Sequence, residues 1–252
     1  MSPVAKKKRL DTLLLERQIA STIEDARLLI EGEQVTVGGI VRSKTNGLYN
    51  EHVCIGLVQA KKYVSRGAYK LEAALMEFAL SPRGMTCLDI GCSTGGFTDC
   101  LLQHGAAKVY CVDVGYGVLD WKIRRQSNVV VLERTNARFL SRKEIPEPIH
   151  LCVIDASFIS LTRLLEPVLS FFTDTIIIIA LIKPQFQLPR EKVGEGGIVS
   201  DPLLHREAID MVSGYAADIG LRTQGVLPAP IQGKKGNQEF LIHLTGVSKT
   251  SQ

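Results

Sequence analysis

No two cysteines in this 252-residue chain are spaced as C-x-x-C, and the six present (54, 87, 92, 100, 111 and 152) follow no regular interval. That excludes a zinc ribbon and argues against a disulfide framework, so a reducing, cytoplasmic setting without metal is expected. Cys87, Cys111 and Cys152 fall inside apolar runs, where cysteine serves as a small hydrophobe. No apolar run is longer than the seven residues from Ile176 to Ile182, far short of the roughly 20 that a helix needs to cross a bilayer. The opening residues, Met1 to Arg9, are polar and basic with no apolar segment behind them, so no signal peptide is expected. Internal repeats and low-complexity tracts are absent. No Gly-x-Gly-x-x-Gly can be drawn, which removes the fingerprint of dinucleotide-binding folds.

What is present begins with ordinary proportions: 45% hydrophobic and 22% charged residues. These suit a soluble globular protein, and the length suits one medium domain plus a small one. The net charge of +4 is unevenly placed: residues 1–70 carry 12 Lys/Arg against 7 Asp/Glu, and the rest carry 18 against 19. A polyanion docking on the N-terminal quarter is one reading of that excess, and a solvated basic face is the other.

The most informative stretch is Cys87-Leu88-Asp89-Ile90-Gly91-Cys92-Ser93-Thr94-Gly95-Gly96-Phe97-Thr98-Asp99, an apolar strand entering a glycine-rich loop. A second apolar strand, Val109 to Val112, follows and ends in Asp113. Glycines let backbone approach a ligand closely, and a strand-end carboxylate accepts hydrogen bonds from both hydroxyls of a ribose. The pattern is G-x-x-x-G-G, and Asp89 inside the first loop suits a ligand carrying an amino acid and a sulfonium better than a pyrophosphate. The chemistry is that of an S-adenosylmethionine pocket. Asp89, Gly91, Ser93, Thr94, Gly95, Gly96 and Phe97 would form its floor, with Val114 packing on the adenine and Asn136 at the adenine edge.

The surrounding pattern predicts strands at 85–89, 108–112, 129–132, 150–154, 175–182, 222–227 and 238–244. Helices are predicted near 96–104, 118–125, 141–144, 161–172 and 203–219, after a helix over 70–78. This alternation means a doubly wound sheet with ligands at the carboxyl ends of its strands. Upstream, residues 8–30 have helical spacing, Val35–Val37 and Ile40-Val41 flank a Gly38-Gly39 turn as a hairpin, and residues 53–55 read as a further strand. The glycine-bearing loop from Gln187 to Asp201 is expected to be mobile, and Pro184 to hold the chain out of the helical region.

Two strand ends carry ionisable residues. Asp155 follows Val153-Ile154, and Lys183 follows the wholly apolar Leu181-Ile182. Lys70 opens a helix and Glu239 opens the last strand. Two lysines and two carboxylates would thus meet at the rim where a methyl donor's sulfonium is expected. A ribose hydroxyl is a weak acid and needs help to lose its proton. A lysine base needs a lowered pKa; desolvation and a second ammonium push that way, and carboxylates push back.

The motifs Arg9-Leu10-Asp11-x-Leu13-Leu14, Ala26-x-x-Leu29-Ile30, Ser65-Arg66-Gly67-Ala68-Tyr69-Lys70-Leu71, Asp89-Ile90-Gly91, Ile154-Asp155-Ala156-Ser157-Phe158-Ile159-Ser160, Lys183-Pro184-Gln185-Phe186 and Gly236-Asn237-x-Glu239-Phe240, in this order, resemble the TlyA (hemolysin A) family of RNA 2′-O-methyltransferases. The resemblance spans nearly the whole chain. It implies a Rossmann-like class I methyltransferase domain of the FtsJ/RrmJ type over 68–252, with a seven-stranded, mostly parallel sheet. An S4-like α+β RNA-binding domain over 1–60 and a short basic linker over 61–67 would precede it. By the same resemblance Lys70, Asp155, Lys183 and Glu239 form the catalytic tetrad: Lys183 activates the 2′-hydroxyl, Asp155 places it, and Lys70 and Glu239 set its charge state. The implied substrate is cytidine in ribosomal RNA of an assembled subunit. Lys6, Lys7, Lys8, Arg9, Arg27, Lys61, Lys62 and Arg66 would contact the RNA. Two departures stand out: Thr22-Ile23 replaces a Ser-Arg pair, and Gln187 stands where a glutamate commonly follows Pro-Gln-Phe.

Other readings stay open at this point. One is a membrane-active hemolysin, and another is an RNA-binding assembly factor that holds cofactor without catalysis. A base methyltransferase would want a loop-borne cysteine nucleophile or an Asn-Pro-Pro-Tyr-like clamp, and neither motif occurs.

Overall fold

In the computed structural model, which describes residues 6–58 and 62–248, the chain divides into two units, Met1–Lys62 and Tyr63–Gln252. In the first unit the elements are β1 (Lys7–Arg9), α1 (Leu10–Glu16), α2 (Ile23–Glu31), β2 (Val35–Val37), β3 (Ile40–Arg42), β4 (Leu48–Asn50) and β5 (Ile55–Leu57). Leu10, Leu14, Ala26, Ile30, Val35 and Val37 form its core, so the apolar spacing of both helices is used inward. Thr22 caps α2, its hydroxyl accepting from Asp25 N at 3.0 Å. The residue in place of the expected serine therefore keeps the cap, and only the cation is lost. The hairpin forms as β2–β3, whereas the strand expected at 53–55 starts at Ile55 and pairs with β2. The antiparallel pair β1–β4 is unforeseen: three consecutive cations, Lys7, Lys8 and Arg9, have no apolar alternation to announce a strand.

The second unit contains α3 (Ala68–Glu77), β6 (Thr86–Ile90), α4 (Gly96–Gln103), β7 (Lys108–Val112), α5 (Trp121–Arg124), β8 (Val129–Leu132), β9 (Leu151–Ile154), α6 (Thr162–Leu169), β10 (Thr175–Ile182), α7 (Pro184–Gln187), α8 (Pro202–Asp218), β11 (Arg222–Pro228) and β12 (Phe240–Val247). Its seven strands run β11-β12-β10-β9-β6-β7-β8, parallel from β10 to β8, with β12 antiparallel to both its neighbours. Leu88, Ile90, Cys152, Ile154 and Ile178 pack on one face, and Cys87, Cys111, Val153 and Ile179 on the other. Burial on both faces is why these strands read as continuous apolar runs.

Three expectations are corrected. Residues 141–144 form no helix; the Glu144 carboxylate accepts from Ser141 N and Oγ at 3.0 and 2.7 Å and closes a turn, and Pro146 and Pro148 bar its extension. Pro184 does not hold the chain out of the helical region but starts α7 at the first helical position, where its missing N–H is no loss. The loop from Gln187 to Asp201, expected to be mobile, is pinned: Asn237 Oδ1 accepts from Val199 N and its Nδ2 donates to Gly197 O, both at 2.8 Å. No helix among the described residues is long and apolar enough to cross a membrane.

Candidate active site

Because β9 and β10 are parallel with Ile154 opposite Ala180, and β10 and β12 are antiparallel with Ile182 opposite Phe240, the ends of three strands coincide. Asp155, Lys183 and Glu239 each stand one residue beyond those registers, at the same edge of the sheet. Lys70 joins them from α3. The four form two ion pairs: Lys70 Nζ to Glu239 Oε2 at 2.5 Å, and Lys183 Nζ to Asp155 Oδ1 at 2.6 Å. Glu239, Lys183 and Lys70 retain only 3, 7 and 8% of their exposure. Pairing is what makes such burial tolerable, since an unpaired charge there would be strongly destabilising. The Asp155 contact is a close ion pair without hydrogen-bond alignment. Ser157 Oγ accepts from the Lys183 ammonium at 2.8 Å in good geometry, which places a hydroxyl in the group that the sequence did not single out.

Two adjoining cavities open beside these pairs, sharing Gly91, Ser93 and Asp155. The first, about 290 Å³, is bounded by Asp113, Val114, Asn136, Ala156, Ser157 and Phe158 among others. The second, about 300 Å³, is bounded by Ser65, Arg66, Gly67, Lys70, Thr94, Gly96, Phe97 and Gln232 among others. Asp113 Oδ2 accepts from Ser93 N at 2.8 Å and Oδ1 from Gly115 N at 2.7 Å. Each oxygen has a second acceptor site, so the carboxylate is held in place with capacity left for a ligand hydroxyl. Asn136 Oδ1 accepts twice, from Arg138 N at 3.1 Å as the cap of a 3-10 turn over Ala137–Phe139 and from Arg138 Nε at 3.4 Å, so its amide N–H groups are what it can offer a ligand.

The glycines divide by purpose. Gly91 has φ +79°, and a side chain there would meet Asp155 O at 2.7 Å, so the strand-end aspartate sits against the loop only because the residue is glycine. Gly95 lines neither cavity: its φ is +92°, and a Cβ would collide with Leu119 Cδ1, so it serves packing. Asp89 also lines neither. It is fully buried, its Oδ2 accepting from Thr98 Oγ1 at 2.6 Å while Oδ1 has no partner, and burial pushes its pKa up to about 7 against the opposing Thr98 bond. Asp89 thus sits beneath the loop, off the walls of both cavities, rather than in the floor where the sequence placed it. Cys87 is pushed up to about 12 by burial, and Cys92, beside Cys111, lies higher still, so both are held as thiols.

The expected RNA cations fare unequally. Arg9 donates to Asp11 at 3.0 and 2.6 Å, Arg27 lies 3.5 Å from the same carboxylate, and Lys8 pairs with Glu16 at 2.7 Å and Glu51 at 3.7 Å. Lys6, Lys7 and Lys62 are exposed, and Lys61 lies outside the described residues. Arg66 borders the second cavity, and Tyr63, in the expected linker, is buried with its hydroxyl on Glu72 at 2.9 Å. Part of the linker is thus built into the second unit. Gln187 is buried too, its Oε1 accepting from Ser160 Oγ at 2.9 Å and Leu161 N at 3.0 Å.

At the mouth, Phe158 is 90% exposed with φ +65°, a backbone state that bulky residues rarely hold. Its ring lies 5.1 Å from that of Phe186, beside Arg138 and Arg163. A signal for this pair existed: Phe158 follows Asp155, and Phe186 follows Lys183, at the same spacing of three.

A doubly wound sheet with one reversed strand near its edge, a glycine loop after β6 and a ribose-ready carboxylate after β7 define a class I methyltransferase. Residues 63–245 match the FtsJ-like methyltransferase family, and the chain belongs to it. It is 39% identical to the 16S/23S rRNA (cytidine-2′-O)-methyltransferase TlyA of Mycobacterium tuberculosis, over 96% of this chain and 91% of that one. It is 44% identical to YqxC of Bacillus subtilis, a candidate rRNA methyltransferase, over 95% and 86% of the two chains. A solved structure of a hemolysin candidate from Streptococcus thermophilus has 37% identity and a TM-score of 0.73, covering 96% of this chain and 90% of its own.

Proposed function

We propose that this chain transfers a methyl group from S-adenosylmethionine to the 2′-hydroxyl of a cytidine in ribosomal RNA, acting in the cytoplasm on an assembled ribosomal subunit. The observation that carries this is the pair of buried lysine–carboxylate contacts set against the cavities behind the glycine loop. The similarity to TlyA supplies the cytidine and the ribosomal RNA. The residues fit the donor: Asp113 has free acceptor capacity for ribose hydroxyls, Val114 borders the same cavity, and Gly91 and Gly96 line the cavities with bare backbone. Bound S-adenosylmethionine supplies an electrophilic methyl on a sulfonium, so the chain's own task is to bind, align and deprotonate. The N-terminal unit is the S4-like module of this reading.

Lys183, as the amine, takes the 2′-hydroxyl proton: the O–H bond breaks, an N–H bond forms, and Asp155 and Ser157 hold the resulting ammonium. Ser157 Oγ accepts from this nitrogen, which leaves the lone pair of the amine free for the hydroxyl proton. Lys70 and Glu239 set the charge beside this group. Phe158 and Phe186 offer an apolar face to an unstacked base, which only a splayed-out nucleotide can use. A membrane-active reading would have no spanning helix to use among the described residues. The test is nucleoside mass analysis of unmodified ribosomal subunits after incubation with protein and donor: 2′-O-methylcytidine is expected. A base-methylated product, or none, would refute the reading.

A further inference from the structure

Beyond the cavities, the carboxyl edge of β7 and β8 carries exposed aromatic rings with arginines laid over them. Tyr116, 70% exposed, has the Arg134 guanidinium 4.2 Å from its centroid, and Trp121, 60% exposed, has that of Arg125 at 5.4 Å. The two pairs share one scaffold. Arg134 N donates to Gly115 O at 3.0 Å, Gly117 N donates to Glu133 Oε1 at 2.9 Å, and Arg124 from α5 closes on the same carboxylate. Glu133 is thereby consumed. Among the described residues Lys122, Arg125 and Arg134 make no salt bridge, so their charge is uncompensated.

A guanidinium held over a ring instead of a carboxylate keeps N–H groups free for phosphate, and an exposed ring offers a stacking surface to a base. Alternating aromatic and cationic planes suit unpaired RNA, where each nucleotide presents one base face and one charge. We infer that the surface of Tyr116, Trp121, Arg125 and Arg134 is a docking platform for single-stranded ribosomal RNA. It extends the substrate from the cavity mouth across the β8 edge. The inference rests on the proposed RNA substrate but makes a separate demand: RNA must touch this face, whatever happens at the tetrad.

Trp121 is the only tryptophan in the chain, so tryptophan emission, excited apart from that of the six tyrosines, reports on this platform. The experiment titrates the full chain with unmodified ribosomal RNA carrying a terminal dye, reading tryptophan emission and dye anisotropy together. The expected result is a saturable fall in emission with the same midpoint as the anisotropy rise. Replacing both Tyr116 and Arg125 by alanine should weaken binding roughly tenfold and lower the salt slope by about one. Both residues lie outside the tetrad and the cavities, and an unchanged circular dichroism spectrum would show that the variant is folded. RNA binding with unaltered emission, or a double variant that binds like the parent, would overturn the platform and leave the methylation reading standing. A chain that binds no RNA at all would overturn both.

Discussion

The two units hold their cations in opposite ways. In the N-terminal unit, which carries the positive excess of the sequence, Lys8, Arg9 and Arg27 face Glu16, Glu51 and the buried Asp11. In the second unit, nearly neutral with 20 Lys/Arg against 19 Asp/Glu, Arg125 and Arg134 face rings, while Lys70 and Lys183 are sealed against carboxylates beside the cavities. The lesson is that net charge does not locate available charge. Partner and burial do: a guanidinium on a carboxylate is a strut, a guanidinium on an exposed ring is open to solvent and phosphate, and a buried ammonium beside a cavity is a reagent.

Breaking a partner in each setting should give effects of different size. The largest is at the sealed pairs. Glu239→Gln leaves Lys70 buried without its counter-charge, and the expected outcome is a loss of about 3 kcal/mol in denaturant unfolding of the second unit, with methyl transfer falling at least roughly a hundredfold. A variant as stable as the parent would mean that Lys70 finds water instead.

Smaller, and pH-dependent, is the effect at Asp11. Hydrogen bonds from Arg9 hold its carboxyl down at about 2 against an ordinary 3.8, despite burial pushing the other way. The folded form therefore prefers the ionised group: the stabilisation is complete above about pH 4 and fades as pH falls through 2. Asp11→Asn should lower the stability of the N-terminal unit by about 2 kcal/mol at pH 7, with the gap to the parent closing between pH 4 and 2. A gap independent of pH would assign the loss to packing. Least is expected at Lys8, whose partners are solvent-accessible: Lys8→Ala should leave the thermal midpoint unchanged within error.

Much of the second unit was legible because its chemistry lies at strand ends. An apolar run of four to eight residues stopped by Asp155 or Lys183 announces both the strand and the ionisable group at its carboxyl edge, and the G-x-x-x-G-G loop announces the cavity floor. The 183-to-239 meeting follows once the last strand is seen to be reversed. What stayed hidden depends on tertiary pairing. Asp89 belongs to the same motif, but alternation along β6 turns it under the loop. Ser157 matters only because Lys183 arrives beside it. Tyr116 and Arg134 are joined through the loops after β7 and β8, far apart in sequence, and β1 has no pattern of its own apart from its pairing with β4.

The most direct test of the account compares the parent and Lys183→Ala on unmodified ribosomal subunits with labelled donor, measuring the initial rate of ribose methylation and, in parallel, donor affinity by calorimetry. The account predicts a rate lower by roughly a thousandfold or more with donor affinity changed less than about threefold. Full methylation by the alanine variant would contradict it, because the account assigns that proton to Lys183.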